Sequence, residues 1–178
     1  LAQMALVAAK RCGPVTGQTA VALGTGLGCA GDAAQFIENM IAKDEAEPMP
    51  ARFINSVHNV PAGQIAMAVG SHALNSAPTC REISFEAALW QGWHAVRAGT
   101  ANAALVGAAD ELSKYYLAIG QRWGLWKNSV PPGEGAAVAR LAPGDTGLGR
   151  VTAVRLGRYR RPFDAAREAA WIAAAIDL

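Results

Sequence analysis

A short apolar run that ends in glycines constrains the fold of this chain more than any other feature. Residues 19–23 (TAVAL) are mostly apolar without polar alternation, and the turn-forming segment 24–28 (GTGLG) follows at once. A short continuous run of this kind predicts a strand that is covered on both faces, as in a parallel sheet. The glycines predict a tight turn at the end of that strand.

Amphipathic segments alternate with further short apolar runs along the chain. Helical spacing predicts helices over residues 2–11, from about Asp32 to Lys43, and over 84–98, with a loop at 44–50 and a loop running into a helix over 53–70. Strands are predicted at 73–79, 103–106, 136–141 and 151–156, a mixed segment at 111–126, and a last helix from 165 that Asp164 caps. This alternation predicts one α/β domain over 1–178, a layered mixed sheet with helices on both faces.

Composition excludes several classes of function. Hydrophobic residues make up 52% of the 178 residues and the formal net charge is only +2, so a nucleic-acid partner is not expected. No run approaches the roughly 20 apolar residues of a membrane span, and no signal peptide opens the sequence. The three cysteines, Cys12, Cys29 and Cys80, are too widely spaced for a disulfide framework or a metal site. We expect a cytoplasmic protein with reduced thiols, without metal or cofactor.

The glycine-rich turn also raises the alternative of nucleotide binding. A dinucleotide fingerprint needs the spacing GxGxxG, but the next glycine after this turn falls at Gly31, out of register. The second glycine-rich stretch, 133–137 (GEGAA), lacks the Lys-Ser/Thr pair of a phosphate-binding loop. Nucleotide binding is therefore the third alternative.

Four segments, in this order, resemble the β-ketoacyl-ACP synthase family, which has the thiolase-like fold. They are GTGLG at 24–28, SVHNVPAGQIAMAVG at 56–70, HAVRAGTANAALVGAADE at 94–111 and PPGEGAAVARL at 131–141. The resemblance covers roughly residues 1–160 and corresponds to most of the first of the family's two similar halves. It implies that residues 164–178 are either a C-terminal helix or the start of a second half.

The resemblance also indicates where a nucleophile should stand. In the family a cysteine lies at the start of the helix that matches 84–98, and counting back from Gly99 gives Glu82 at that position, with Cys80 two residues earlier. Glu82 is interpreted either as a simple helix cap or as a carboxylate that replaces the nucleophile. The family's two later histidines have no counterpart, because His58 and His72 precede this position and only His94 follows it.

The resemblance therefore implies a non-catalytic subunit of the chain-length-factor type that pairs with an active ketosynthase in fatty acid, polyketide or aryl-polyene synthesis. The expected partner interface comprises Asn55, His58, Asn59, Ala73, Asn75 and Thr79. An acyl carrier protein is a second expected partner. A late basic cluster is interpreted either as a solvated strand edge or as a docking patch for that acidic carrier protein: Arg150, Arg155, Arg158, Arg160 and Arg161.

Two further interpretations stay open. The chain is alternatively a fragment of an active β-ketoacyl-ACP synthase, an acyltransferase that performs decarboxylative Claisen condensation with Cys80 as nucleophile. Four tryptophans either pack in the core or an interface, or line an acyl tunnel: Trp90, Trp93, Trp123 and Trp126.

Overall fold

The computed structural model describes residues 1–124, 132–144 and 147–156. In chain order the helices are α1 (Ala2–Lys10), α2 (Ala30–Ala42), α3 (Pro50–Asn55), α4 (Val60–Val69), α5 (Ser84–Arg97) and α6 (Lys114–Trp123). The strands are β1 (Thr19–Gly24), β2 (Asn75–Ser76), β3 (Ala103–Asp110) and β4 (Gly135–Leu141), and a 3-10 turn, Arg81–Ile83, precedes α5.

The strands form one mixed sheet in the order β2-β1-β3-β4. Both neighbours of β1 run parallel to it, whereas β4 pairs antiparallel with β3. All six residues of β1 are buried, as expected for a strand in the middle of a parallel arrangement. The predicted α/β fold with a mixed sheet is confirmed.

The two faces of the sheet carry different helices. On one face, Val21 and Leu23 of β1 join Leu105 of β3 in a cluster with residues of α1 and α4. On the other face, Ala20 and Ala22 of β1 pack with the small residues of α5. Consecutive side chains of a strand point to opposite sides, so β1 contributes apolar residues to both faces of the sheet. Helices cover both of these faces.

Helix α5 approaches the sheet closely because its inner face consists of small residues. Ala88 is fully buried, and Gly92 lies directly over β3. A Cβ atom placed on Gly92 would be 2.2 Å from Val106 Cγ1, which is far inside van der Waals contact. Leu89 and Val96 of this helix pack at the side of the same cluster, whereas Trp90 is 40% exposed.

Several predicted boundaries need correction. The strand expected at 73–79 is reduced to Asn75–Ser76, because Pro78 has no backbone N–H to donate to the ladder. The Pro78 carbonyl oxygen still accepts from Thr25 N, in register with the bond from Val21 N to Leu74 O. Residues 53–59 are not simply a loop, because α3 runs to Asn55 from Pro50 at its first turn. Helix α2 begins at Ala30 rather than at Asp32, which lies within its first turn.

The later part of the chain shows both agreement and differences. Strand β3 extends from the predicted 103–106 to Asp110, and the mixed segment 111–126 contains α6. Residues 151–156 form no strand, so that prediction is wrong. The predicted helix from 165 lies outside the described residues. Among the described helices the longest, α5, has 14 residues, and none is long and apolar enough to cross a membrane.

Candidate functional site at the turn between β2 and α5

The candidate site lies where the carboxyl ends of β1, β2 and β3 meet. In α/β sheets, ligands and reacting groups gather at this edge, because the loops that follow parallel strands all emerge there. Here three such segments come together: the glycine-rich turn 24–28, the turn 78–84, and Asp110 at the end of β3.

The turn between β2 and α5 is backbone-strained. Arg81 has φ 54°, in the left-handed region that a bulky residue rarely adopts. Such a conformation persists only where the surroundings hold it, and it is frequent at functional sites. A strained turn from strand to helix is also how α/β-hydrolases present a nucleophile. In this chain Arg81 occupies that turn, with Cys80 and Glu82 on either side, and all three side chains are exposed.

A buried hydroxyl fixes the strained turn to the glycine-rich turn. Ser84, the first residue of α5, is only 3% exposed, and its Oγ accepts a hydrogen bond from Cys80 N at 2.9 Å. The same oxygen lies 2.6 Å from Arg81 O and 2.9 Å from Thr25 O, so its proton can be donated to either carbonyl. The two turns approach so closely that position 24 requires glycine, because a Cβ atom there would lie 2.2 Å from Ser84 O.

The glycine-rich turn is closed by its own hydrogen bonds. Thr25, which is 2% exposed, donates from Oγ1 to Asp110 Oδ1 at 3.0 Å and accepts from Gly28 N at 3.0 Å. Gly26 N donates to the same Asp110 oxygen at 2.8 Å. The amides of Gly26 and Gly28 are therefore already bound, which leaves two fewer backbone donors in this turn for a phosphate group.

The three cysteines differ in environment. Burial raises the pKa of the Cys29 thiol to about 11, and the nearby carboxylates of Asp32 and Glu111 add to the increase. Burial also raises the pKa of Cys12, whose Sγ lies 3.1 Å from Val138 O of β4. Cys80, by contrast, is exposed at the strained turn. A thiol held in its protonated form is a poor nucleophile, which leaves Cys80 as the accessible thiol of the described chain.

The histidines are distributed over separate parts of the structure. His58 packs against the glycine-rich turn, where its Cβ lies 3.0 Å from the position that a Cβ of Gly28 would take. His72 lies beside Gly17, and His94 stacks on Trp90 with ring centroids 5.6 Å apart. Within the described residues, no hydrogen bond joins a histidine to Cys80 or Glu82.

A profile described as "Beta-ketoacyl synthase, N-terminal domain" matches residues 2–143 of the 178-residue chain. The chain belongs to this family. The resemblance to the β-ketoacyl-ACP synthase family is confirmed, and with it the predicted thiolase-like fold.

Solved structures with the ketosynthase fold superpose well on the chain at low sequence identity. "The ishigamide ketosynthase/chain length factor" gives a TM-score of 0.68 at 20% identity, covering 83% of this chain and 44% of that one. A "Ketosynthase (ApeO) in Complex with its Chain Length Factor (ApeC)" from Xenorhabdus doucetiae gives 0.63 at 19% identity, covering 82% and 58%.

A third structure is a type II polyketide synthase acyl-carrier protein in complex with its ketosynthase bound to the hexaketide (AntDE:AntF). It gives a TM-score of 0.64 at 18% identity and covers 79% of this chain and 42% of that one. The chain thus spans about two fifths to three fifths of the length of these ketosynthase-fold structures. No curated protein matches the sequence.

The predicted interface residues of this ketosynthase-family chain lie on two adjoining segments. Asn55 ends α3, and His58 and Asn59 lie in the link to α4; all three are exposed. Ala73, Asn75 and Thr79 lie on the edge segment around β2. The two segments are joined by a hydrogen bond of 3.0 Å from Asn75 Nδ2 to Ala62 O in α4.

The remaining predicted features are only partly within the described residues. Of the basic cluster, Arg150 and Arg155 are exposed, whereas Arg158, Arg160 and Arg161 lie outside the described residues. Trp90 is 40% exposed and Trp123 is 68% exposed, Trp93 lies under the Arg97 guanidinium at 5.0 Å, and Trp126 is outside the described part. No group of three or more potential metal ligands is clustered in the portion that the structure describes.

Sequence reasoning missed the three residues that organise the site: Thr25, Ser84 and Asp110. Each is a small polar residue at the end of a strand or the start of a helix, where such side chains commonly bond to backbone groups. Small polar residues at such positions are common in any sequence. Thr25 lies 59 residues from Ser84 and 85 residues from Asp110 along the chain. Only the fold brings them together.

Proposed function

We propose that this chain is part of a non-catalytic ketosynthase-like subunit of the chain-length-factor type, which pairs with an active β-ketoacyl synthase. The observation that carries the proposal is the strained turn itself. It keeps the strand-to-helix geometry suited to presenting a nucleophile, yet the residue in the left-handed conformation is Arg81, and Glu82 follows it. Neither a guanidinium nor a carboxylate can serve as the acyl-accepting thiolate of a condensation.

The open edge of the sheet supports pairing with another thiolase-like subunit. Strand β2 is the last strand on its side of the described sheet. Leu74 O accepts from Val21 N of β1, so the backbone groups of the next residue, Asn75, point away from β1 toward the open side. An unpaired strand edge is a ready site for another chain to add hydrogen bonds.

Apolar side chains near this edge support the same role. Leu74, which precedes β2, and Ile83 and Phe85, which follow the turn after β2, are each at least 40% exposed. Soluble proteins rarely leave large apolar groups clustered at the surface, so a covering partner is favoured. Two of the similar solved structures carry both ketosynthase and chain length factor in their titles, which supports a ketosynthase as that partner.

The pathway and the second partner are proposed on the same basis. One similar structure contains an acyl-carrier protein with its ketosynthase, and the exposed Arg150 and Arg155 would favour an acidic carrier protein. We place the subunit in polyketide or aryl-polyene synthesis, with fatty acid synthesis as the wider class, and in the cytoplasm. In that assembly it would shape the acyl cavity of the active subunit.

A second candidate function keeps Cys80 as a nucleophile. The observation that favours it is the exposure of the Cys80 thiol one residue before the left-handed Arg81, while the other two cysteines are at least partly buried. Under this alternative the chain is a piece of an active β-ketoacyl synthase, and its histidines would lie in a second half.

Native mass spectrometry of the complex purified from its own host tests the two functions against each other. A one-to-one complex with a larger, cysteine-containing ketosynthase, with acyl adducts on that partner alone, is the expected result. A homodimer or a lone chain that carries an acyl adduct on Cys80 would overturn the proposal. A Cys80→Ser variant purified in parallel provides the control for adducts on this thiol.

A further inference from the structure

We infer that Asp110 is a positioning residue that locks the strained turn between β2 and α5. Its carboxylate does not touch that turn directly. It acts through the glycine-rich turn, in a relay of hydrogen bonds that joins the carboxyl ends of β1, β2 and β3.

The first step of the relay runs from β3 to the glycine-rich turn. Asp110 Oδ1 accepts from Thr25 Oγ1 at 3.0 Å and from Gly26 N at 2.8 Å. A carboxylate that accepts two hydrogen bonds from one turn fixes both the side chain and the backbone of that turn. Because Thr25 donates its only hydroxyl proton to Asp110, its oxygen is oriented to accept from Gly28 N at 3.0 Å.

The second step runs from the glycine-rich turn to the strained turn. Thr25 N donates to Pro78 O at 3.1 Å, and Thr25 O lies 2.9 Å from Ser84 Oγ. Ser84 Oγ in turn accepts from Cys80 N at 2.9 Å. Thr25 therefore holds the turn at both of its ends, before Cys80 and at the first residue of α5.

Close packing between the glycine-rich turn and the turn before α5 adds to the hydrogen bonds of the relay. The position of a Gly24 Cβ is 2.2 Å from Ser84 O, and the position of a Gly26 Cβ lies 3.5 Å from both Arg81 O and Asp110 Oδ1. The backbones of Gly24 and Ser84 are therefore in close contact, and the Gly26 position lies within ordinary van der Waals distance of both partners. The left-handed φ of Arg81 is a conformation that only such over-determined surroundings maintain.

The relay gives the turn a fixed shape whether or not a nucleophile stands on it. Thr79 and the edge strand β2 enter the turn directly, so Asp110 also fixes the end of the edge that we propose as the partner interface. That consequence for pairing rests on the proposed function, whereas the relay itself does not.

The test compares Asp110→Ala, Asp110→Asn and Glu134→Ala in the purified full-length protein. Two quantities are measured: the hydrogen-exchange rate of the Cys80 backbone amide, which reports the Ser84 contact, and the alkylation rate of the Cys80 thiol by iodoacetamide. Glu134 is the matched control, because its carboxylate accepts from Leu112 N at 3.1 Å near the same end of β3 without a bond to Thr25.

We expect Asp110→Ala to raise both rates by at least about tenfold, the effect of losing one hydrogen bond to a charged acceptor. Asp110→Asn keeps an acceptor oxygen but loses the charge, so both of its rates should lie between those of the parent and those of Asp110→Ala. Unchanged rates in Asp110→Ala, or equal changes in Glu134→Ala, would overturn the inference. If Asp110→Ala does not fold, Thr25→Val against Thr25→Ser makes the same comparison, because only the serine retains the donor hydroxyl.

The experiment separates this inference from the proposed function. Copurification with a ketosynthase is scored on the same variants. If the parent never copurifies with a ketosynthase but Asp110→Ala exchanges faster at the Cys80 amide, the relay is supported and the proposed function is contradicted. If the parent copurifies with a ketosynthase but Asp110→Ala leaves both Cys80 rates unchanged, the proposed function is supported and the relay is contradicted.

Discussion

Ser84 Oγ lies 2.9 Å from the carbonyl oxygen of Thr25, although 59 residues separate the two positions in the chain. This contact ties the start of α5 to the end of β1, and the Gly24 site shows how close the two backbones come. The close approach of α5 to the sheet continues along the helix and leads to a first prediction on packing.

Gly92→Ala should destabilise the protein, although alanine is the better helix former. The added Cβ would lie 2.2 Å from Val106 Cγ1 and 3.2 Å from Ala104 Cβ, and both partners are buried in a strand. We expect the free energy of unfolding to fall by about 1–3 kcal/mol, the usual cost of overpacking. Urea unfolding with a fitted midpoint measures the change.

Gly63→Ala in α4 is the matched control for that substitution. No atom lies within 4 Å of the position that its Cβ would take, so only helix propensity should act. The free energy of unfolding should then rise by about 0.5–1 kcal/mol. A stabilising Gly92→Ala, or a destabilising Gly63→Ala, would contradict the close helix-to-sheet packing described here.

The elements β1, β3 and α5 were predictable because the apolar pattern that forms each of them lies within its own residues. The apolar run 19–23 and the apolar and small residues of 103–106 lie within β1 and β3, and the helical spacing of 84–98 matches α5 to within one residue. Helix α3 was missed because Pro48 and Pro50 were interpreted as loop residues, although proline at the first turn starts helices. The local signal for α6 is Ser113, a residue type that commonly caps helices, and in the structure its Oγ accepts from Tyr116 N at 3.1 Å.

The site was less predictable for a physical reason. Periodicity and composition report which face of an element is buried, but not which polar groups meet across the fold. The bond from Thr25 to Asp110 depends on the parallel register of β1 and β3, in which Gly24 lies beside Ala108. Glu82 and Cys80 were singled out by counting along the chain, whereas the backbone strain is at Arg81 between them.

The open edge of the sheet leads to a prediction on pairing. Asn75→Pro removes the N–H that points away from β1, while the bond between Val21 N and Leu74 O can remain. We expect the variant to fold but to lose copurification with its ketosynthase partner by at least about tenfold, as expected when an edge-strand ladder cannot form.

Asn75→Ala is the control for that experiment. It removes the side-chain bond to Ala62 O, as the proline also does, but keeps the outward N–H. Copurification should stay within about twofold of the parent, because only one partly buried hydrogen bond is lost. Equal loss of pairing in both variants would assign the effect to the side chain and argue against an edge-strand interface.

The buried thiol of Cys29 predicts a loss of stability at high pH. Its pKa is raised from the ordinary value of 9.0 to about 11, mainly by burial and then by Asp32 and Glu111. Well below pH 9 the thiol is protonated in both states and contributes no pH dependence. Between about pH 9 and pH 11 the unfolded chain releases the proton while the native protein retains it, so the free energy of unfolding falls as pH rises.

Cys29→Ala isolates this contribution from the lysines and tyrosines that titrate in the same range. The parent should lose roughly 1–2 kcal/mol more than the variant between pH 8.5 and pH 11. Urea unfolding of both proteins at several pH values measures the difference. Parallel curves for the two proteins would show that the thiol is not held protonated by the fold.

The last prediction concerns Cys80 and separates a supporting subunit from an enzyme. In the copurified complex, Cys80→Ser should leave the rate of chain elongation within about twofold of the parent, because the proposal assigns the nucleophile to the partner. Loss of an essential nucleophile typically lowers the rate by a factor of a thousand or more. The two expectations therefore differ by far more than the error of a radiolabelled malonyl-transfer assay. Glu82→Gln, measured alongside, keeps the size and removes the charge at the adjacent position. If Cys80→Ser abolishes elongation while the partner's own cysteine is intact, this chain carries the acyl group and is itself catalytic.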